Sequence, residues 1–435
     1  METPRTIVFF LEGAYGPTNN CVGIGDVLRR RGHRVVFVVE ESFVGTLEAR
    51  GFEERLMRLG PPPAEPEVPG QFWKDFIRDT APEFRKPTIE QLGSFLQPTW
   101  RALIDGARYV EPRLAEIFGE LEPDVIVEDN VVLFPAIVAS GRPWVRIVSC
   151  NPAEIRDPAV PPVFSGYPAA DRAGWAEFEA ERERRHRSMW AEFDTFVRDR
   201  TGDGLPDLEF MPESPYLNLY LYPAEADYER SRALGPAWRR LDSCVRGTDD
   251  IYELREPLAS APGRLIYLSL GSLGSADVAL MQRLIDILGR TEHRVIVSMG
   301  PQHDQLQLAD NMAGAEFLPQ PAVLGQVDLV VTHGGNNTVT ESFHNGLPMV
   351  VLPLFWDQYD NAQRVAELGF GARLDTYRFE DRELIDAIDR LLVDEGLRRR
   401  LASIASRLKT NPGIDKAADL IEQVAAEAPR RAIGV

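Results

Sequence analysis

The chain has 435 residues, long enough for two domains with full cores, and its balance of 44% hydrophobic and 26% charged residues is that of a globular protein. Lys and Arg total 48 against 67 Asp and Glu, and the net charge of −19 argues against nucleic acid or an anionic membrane surface as a partner. Three widely spaced cysteines (Cys21, Cys150, Cys244) give no metal-ligand spacing and no disulfide framework, no signal-like segment opens the chain, and no apolar run reaches the ~18 residues of a membrane span, so a cytoplasmic location is expected.

Thr6–Leu11 is a short apolar run and predicts a buried strand. Glu12 to Asn20, rich in Gly, Pro and Asn, predicts a loop. Val22, Ile24, Val27 and Leu28 then recur at helical spacing up to Gly32-His33, and Arg34–Val39 is the next strand. His33 follows a helix C-terminus, where positive charge is favoured, and has a structural role there. Residues 59–100 are rich in proline and aromatics with weak periodicity, either a solvated loop or a lid over a binding cleft. Arg108–Glu120 predicts a helix, and the strand Val125–Val127 delivers Glu128 and Asp129 to its carboxyl edge, the functional side of a parallel sheet.

Trp144–Val148 is a further strand, and Trp175–Arg200 reads as a long helix with an aromatic packing face and His186 on a solvated face among arginines. Leu217–Leu221 closes a first domain over residues 1–230. The proline-bearing stretch 231–262 reads as a linker to a second α/β domain, 263–412, opened by the strand Leu265–Leu270 and the pair Gly271-Ser272. Arg294–Ser298 is its next strand, followed by the segment Glu316–Pro319. Residues 413–435 hold a final helix over about 414–427.

The most informative stretch is 329–362. Leu329–Val331 is a β-branched strand, His333-Gly334-Gly335-Asn336-Asn337-Thr338 turns the chain, Thr340–Asn345 is helical, and Met349–Pro353 is a second strand. A tight turn into a helix places unpaired N–H groups and the positive end of the dipole where a phosphate can bind, and this turn adds an imidazole, an amide and a hydroxyl. Asp357 and Gln358 follow the second strand at its carboxyl edge, and a carboxylate beside an amide suits sugar hydroxyls.

The ordered string Phe317-Leu318-Pro319-Gln320, His333 to Thr338, Glu341, Pro353, Asp357-Gln358 and Asn361-Ala362 resembles the donor-binding signature of the UDP-dependent glycosyltransferase superfamily, which includes plant secondary-product and bacterial macrolide enzymes. The resemblance covers the second half of the chain closely and the first half in outline. It implies an α/β fold of two Rossmann-like domains facing a cleft (GT-B type), with the C-terminal helix packing back on the first domain. By the same resemblance Phe317 stacks on uracil, the Leu318 backbone pairs with the base edge, and Gln320 and Glu341 contact ribose hydroxyls. Ser272, His333, Gly335, Asn337 and Thr338 would hold the diphosphate, and Asp357 with Gln358 the sugar, a pair that goes with glucose in relatives.

The implied reaction is inverting transfer of glucose from UDP-glucose to a hydroxyl of a small natural product, such as a polyketide, aminocyclitol or nucleoside-like molecule, in antibiotic or secondary-metabolite biosynthesis. The helix and side chains neutralise the diphosphate, so neither a metal nor a cofactor is required. The expected partners are the UDP-sugar and a small acceptor, in a monomer or homodimer.

The base departs from the pattern. Relatives carry a histidine in the loop after the first strand; the matching position here is Pro17, and no histidine occurs between Met1 and Arg31. Asp129 falls where relatives place the aspartate that orients that histidine, and is the expected base, with Glu128 and Glu12 as substitutes. A carboxylate with its ordinary pKa of ~4 is a weak base unless burial or a like charge, such as neighbouring Glu128, raises it. Two other readings compete: a UDP-sugar 2-epimerase-like enzyme on the same fold, and a non-catalytic UDP-sugar-binding accessory protein.

Overall fold

Near-continuous apolar strands dictate sheets covered on both faces, and the chain builds two of them. The structure, a computed structural model, describes residues 3–11, 15–62, 78–247 and 250–427. Strands β1 (Thr6–Leu11), β2 (Arg34–Glu40), β3 (Glu53–Met57), β4 (Val125–Asp129), β5 (Trp144–Val148), β6 (Leu217–Tyr220) and β7 (Trp238–Arg240) form a seven-stranded sheet in the order β3-β2-β1-β4-β5-β6-β7. Strands β8 (Leu265–Ser269), β9 (Arg294–Ser298), β10 (Met312–Ala315), β11 (Leu329–Thr332), β12 (Met349–Val351) and β13 (Gly371–Arg373) form a six-stranded sheet in the order β10-β9-β8-β11-β12-β13. The central pairings β1 with β4 and β8 with β11 are parallel, as are those flanking them. In each sheet the strand order reverses at that central pair, which opens a crevice at the carboxyl ends.

Alternation along β1 sorts its side chains into two layers. Ile7, Phe9 and Leu11 pack with the first helix, Tyr15–Arg30, and with the C-terminal helix, Gly413–Glu427. Val8 and Phe10 face the helix Gln97–Leu121 through Ile104, Val110 and Leu114. The C-terminal helix therefore returns to the first sheet. It buries Ala417, Ala418 and Ile421 there, and Arg31 pairs with Asp419 at 2.7 Å and with Glu422 at 2.6 Å. His33 sits in the same contact, with Nε2 2.8 Å from Glu422 and Nδ1 accepting the Arg5 N–H, so its role is structural. Among the described residues no helix is long and apolar enough to cross a membrane.

Several local expectations change. The stretch 12–20 is not a loop throughout, because the first helix begins at Tyr15; a proline in a first turn loses no helical hydrogen bond. Glu12 lies outside the described residues. Residues 63–77 of the expected loop or lid also lie outside them, and beyond Thr80 the segment is a run of short helical turns that buries Phe84, Phe95 and Leu96. The helix predicted over 108–120 starts eleven residues earlier, at Gln97, and runs to Leu121. His186 is not on a solvated face. It is 3% exposed, with Nε2 3.3 Å from the Leu92 carbonyl, because it lies on the same stripe as Phe178, Arg182, Met189 and Phe193, the face that the arginine-rich helix Trp175–Thr201 buries. The strand near Glu316 is Met312–Ala315, and Glu316–Pro319 is a loop.

Ile421 is fully buried between the C-terminal helix and the first sheet. Ile421→Ala is expected to lower the unfolding free energy by about 2–5 kcal/mol, read from the midpoint of a urea titration.

Candidate active site

The carboxyl edges of the two sheets face one another across a cleft of about 590 Å³, lined from both sides. The first sheet supplies Asp129 from the end of β4 and Ser149, Cys150 and Glu154 from the turn after β5. The second supplies the loop after β8, the Phe317–Gln320 segment, the turn after β11 and the Asp357-Gln358 pair.

The turn after β11 leads directly into the helix Asn336–Asn345, four residues earlier than the sequence predicts. Gly334 takes φ +89, and a Cβ there would meet Val351 at 2.6 Å, so only glycine allows this return. The His333 ring lies between two more glycines: a Cβ on Gly335 would come within 2.5 Å of Nε2, and one on Gly271 within 2.8 Å of Cε1. Burial pushes the His333 pKa down to about 4, against a Ser269 backbone contact that raises it, so the ring is neutral at pH 7. A neutral imidazole beside unpaired helix N–H groups is a ready site for an anionic oxygen. Thr338 and Gly335 line the same wall. The side chain of Ser272 lies outside the described residues.

Gln320 and Glu341 are placed together. Gln320 Nε2 donates to Glu341 Oε2 at 2.6 Å and to Thr338 Oγ1 at 3.3 Å, while the Tyr267 hydroxyl donates to Gln320 Oε1 at 3.2 Å. Burial raises the Glu341 pKa, opposed by Arg246 at 3.5 Å and by Gln320. Phe317 stands 62% exposed at the rim, an open ring face beside Leu318.

The Asp357-Gln358 pair is partly engaged by the protein itself. Gln358 Oε1 accepts the N–H groups of Leu354 and Phe355 at 3.0 and 3.2 Å, which leaves its amide nitrogen as the polar group for the cleft. Asp357 Oδ2 accepts the Asn151 N–H at 2.8 Å from across the cleft, and burial lifts its pKa to about 7. Asn337 is likewise bridged, its Oδ1 accepting from Asn20 Nδ2 at 2.7 Å.

On the opposite wall, Asp129 accepts from Ser149 Oγ at 2.9 Å and lines the cleft. Glu128 does not. Successive strand residues point to opposite faces, so Glu128 turns under the sheet, wholly buried beside its β5 partner Arg146, and the sequence expectation that it could replace Asp129 fails. Burial pushes the Glu128 pKa up to about 8 in spite of Arg146 and Asn130. It is therefore mostly protonated at neutral pH.

The residues missed by sequence reasoning are those that join the two walls. Asn336 Nδ2 donates to the carbonyls of Ser149 at 2.8 Å and Leu221 at 3.0 Å, and Asn151 Nδ2 donates to Asn361 Oδ1 at 2.8 Å. Asn336 and Asn361 sat inside the recognised string, but nothing in a one-dimensional pattern marks them as cross-domain contacts. Glu154, paired with Arg146 at 2.6 Å, had no signal at all.

This arrangement has counterparts. Residues 253–425 match the family model described as UDP-glucoronosyl and UDP-glucosyl transferase. The demethyllactenocin mycarosyltransferase of Streptomyces fradiae is 24% identical over 96% of this chain and 86% of its own length. The oleandomycin glycosyltransferase of Streptomyces antibioticus is 25% identical over 99% and 92%. The chain is thus similar to the UDP-dependent glycosyltransferases, by the family model over residues 253–425 and by these two relatives over nearly its whole length. Among solved structures, the kitacinnamycin glycosyltransferase superposes with a TM-score of 0.72 at 23% identity, covering 98% of this chain and all of that one, and the calicheamicin glycosyltransferase CalG4 with 0.67 at 20% identity over the same shares. These structural matches give the chain a GT-B architecture, in agreement with the fold read from the sequence.

Two outcomes are expected of the His333 pocket. An unfolded imidazole titrates near 6.5 and the folded one near 4, so the unfolded state binds more protons between them and stability falls as pH drops through that window. His333→Gln should remove this component, so that the urea midpoint of the variant falls less than that of the parent between pH 6.5 and about 4. Gly335→Ala forces the ring aside and should weaken UDP binding, measured by calorimetry, roughly tenfold or more.

Proposed function

We propose that this glycosyltransferase moves glucose from UDP-glucose to a hydroxyl of a small natural-product acceptor, with inversion at the anomeric carbon and without a metal. The observation that carries the reading is the pairing of the two walls: a glycine-rich helix start with a neutral His333 faces, across the cleft, the carboxylate of Asp129. The leaving diphosphate gains charge as the sugar bond breaks, and helix N–H groups, His333 and Thr338 are fixed donors for that charge. Phe317 offers its exposed ring to the uracil, and Gln320 with Glu341 their polar ends to the ribose. Asp357 and the amide nitrogen of Gln358 support a hydroxyl-rich sugar, and the choice of glucose rests on that pair. The names of the macrolide relatives support an acceptor from antibiotic or secondary metabolism.

Asp129 is the proposed base. Ser149 holds one of its oxygens, so the carboxylate is oriented as an attacking hydroxyl loses its proton. Attack from the acceptor wall, opposite the diphosphate, turns an α-linked donor into a β-glycoside.

The test is UDP release from UDP-glucose, with mass detection, over polyketides, flavonoids, aminocyclitols and nucleosides. A product heavier by one hexosyl unit is expected; UDP-glucose binding with no transfer to any acceptor would favour the accessory reading instead. Asp129→Asn should lower kcat by on the order of 10²–10⁴ while leaving UDP affinity within about twofold. Equal losses in both quantities would remove Asp129 as the base. His333→Ala should weaken UDP by roughly 10- to 100-fold and lower kcat as well.

A further inference from the structure

Behind the acceptor wall lies a small chamber of about 60 Å³, with room for a few waters or a short length of chain. It shares Val131 and Glu154 with the main cleft. On its other side it shares Arg156 and Val163 with an outer groove of about 540 Å³ on the first domain. The chamber thus shares one wall with the cleft and another with the groove.

The walls of the chamber differ in chemistry. One is aromatic, with Trp100 stacked on Phe210 at 4.7 Å and Phe164 beside them. The other carries ion pairs: Arg146 with Glu154 at 2.6 Å, Arg182 with Glu179 at 2.6 Å, and Arg156 with Glu209 at 3.9 Å. Each cation has a carboxylate partner, so no charge is left to recruit a charged group. His186 adds one acceptor. The Leu92 carbonyl can only accept, so Nε2 carries the proton, and burial, which pushes the His186 pKa down to about 4, leaves Nδ1 with its lone pair. The groove beyond is mainly apolar, formed by Pro158, Val160, Pro161, Pro162 and Trp175.

The chamber is held in shape from the other domain. Phe164 takes φ +68 and Trp356 φ +59, both in the left-handed region, which bulky side chains occupy only under constraint. Their rings pack at 4.4 Å, and the Phe164 N–H donates to Asp360 Oδ2 at 2.6 Å. The aromatic wall is therefore fixed where the domains meet.

We propose that these three spaces form a passage for an elongated acceptor. Its reacting hydroxyl lies in the cleft, and a neutral, largely apolar tail runs through the chamber into the outer groove. This rests on the glycosyltransferase reading, which assigns the first domain's wall to the acceptor. It adds a size and shape to the acceptor: longer than the cleft, narrow at the neck, and uncharged where it crosses the paired arginines.

The test uses 4-alkylphenols with tails from ethyl to octyl, titrated calorimetrically into the full chain with UDP present. Affinity is expected to rise roughly three- to fourfold per added methylene as the tail enters the neck and groove. Val163→Trp, which places a large ring at the neck, should hold affinity at the value of the shortest tails while UDP binding stays unchanged. Arg156→Ala opens the same neck and should tighten binding of a phenol with a phenyl-terminated tail by about threefold or more. A parental series that is flat beyond ethyl, or one that neither variant alters, overturns the passage and leaves a hydrated polar cavity. A chain that binds no UDP at all would instead overturn the function proposed above, so the two failures are separable.

Discussion

The structure depends on a buried polar seam between two parallel sheets that meet edge to edge. Carbonyl groups at the ends of β5 and β6 have no further strand to bond, and a buried unpaired carbonyl costs about 1–3 kcal/mol. Asn336, in the first turn of the helix after β11, satisfies the carbonyls of Ser149 and Leu221 with one amide nitrogen. Asn151 answers from the other side, giving its N–H to Asp357 and its amide to Asn361. Groups in such a network are satisfied only when both domains are in place. Asp360 extends the seam by holding the N–H groups of Phe164 and Gly166 at 2.6 and 2.8 Å, and Arg364 by reaching the carbonyls of Ala226 and Asp227 at 3.0 and 2.6 Å.

The seam gives the string 333–361 two tasks. His333, Gly335 and Thr338 face the cleft, where a neutral ring and a helix start can meet an anion. Asn336 and Asn361 face the first domain. One short segment therefore sets the site and its distance from the opposite wall. Asp357 belongs to both sets: it lines the cleft and accepts from Asn151, and its burial lifts its pKa to about 7.

The opposite wall shows how one residue of register decides chemistry. Glu128 and Asp129 are adjacent carboxylates of similar strength in solution. The pleat of β4 sends the first beneath the sheet beside Arg146 and the second to the cleft beside Ser149. Cys150, in the same cleft, has its thiol pKa raised by burial and by Asp357, Glu154 and Asp129 around it, so it is a poor nucleophile there. Glu154, on the same wall, is paired with Arg146 at 2.6 Å.

Much of this was legible in the chain itself. Long β-branched runs fixed the central strands β1, β2, β4, β5, β8, β9 and β11, because a strand covered on both faces has to be apolar throughout. The edge strands β3, β7, β10 and β13 were not legible: sequences such as Glu53–Met57 and Trp238–Arg240 are mostly charged, which an edge position tolerates more readily and which hides the apolar run that marks a strand. The glycine-rich turn and the Asp357-Gln358 pair were visible because turn geometry and strand ends are local properties. Tertiary structure alone decided the rest: the orientation of Glu128 away from the cleft, the burial of His186, the aromatic wall of Trp100, Phe164 and Trp356, and the asparagine seam. Each joins residues far apart in the chain, and burial, which sets both their hydrogen bonding and their protonation, is a property of the packed molecule and not of any segment within it.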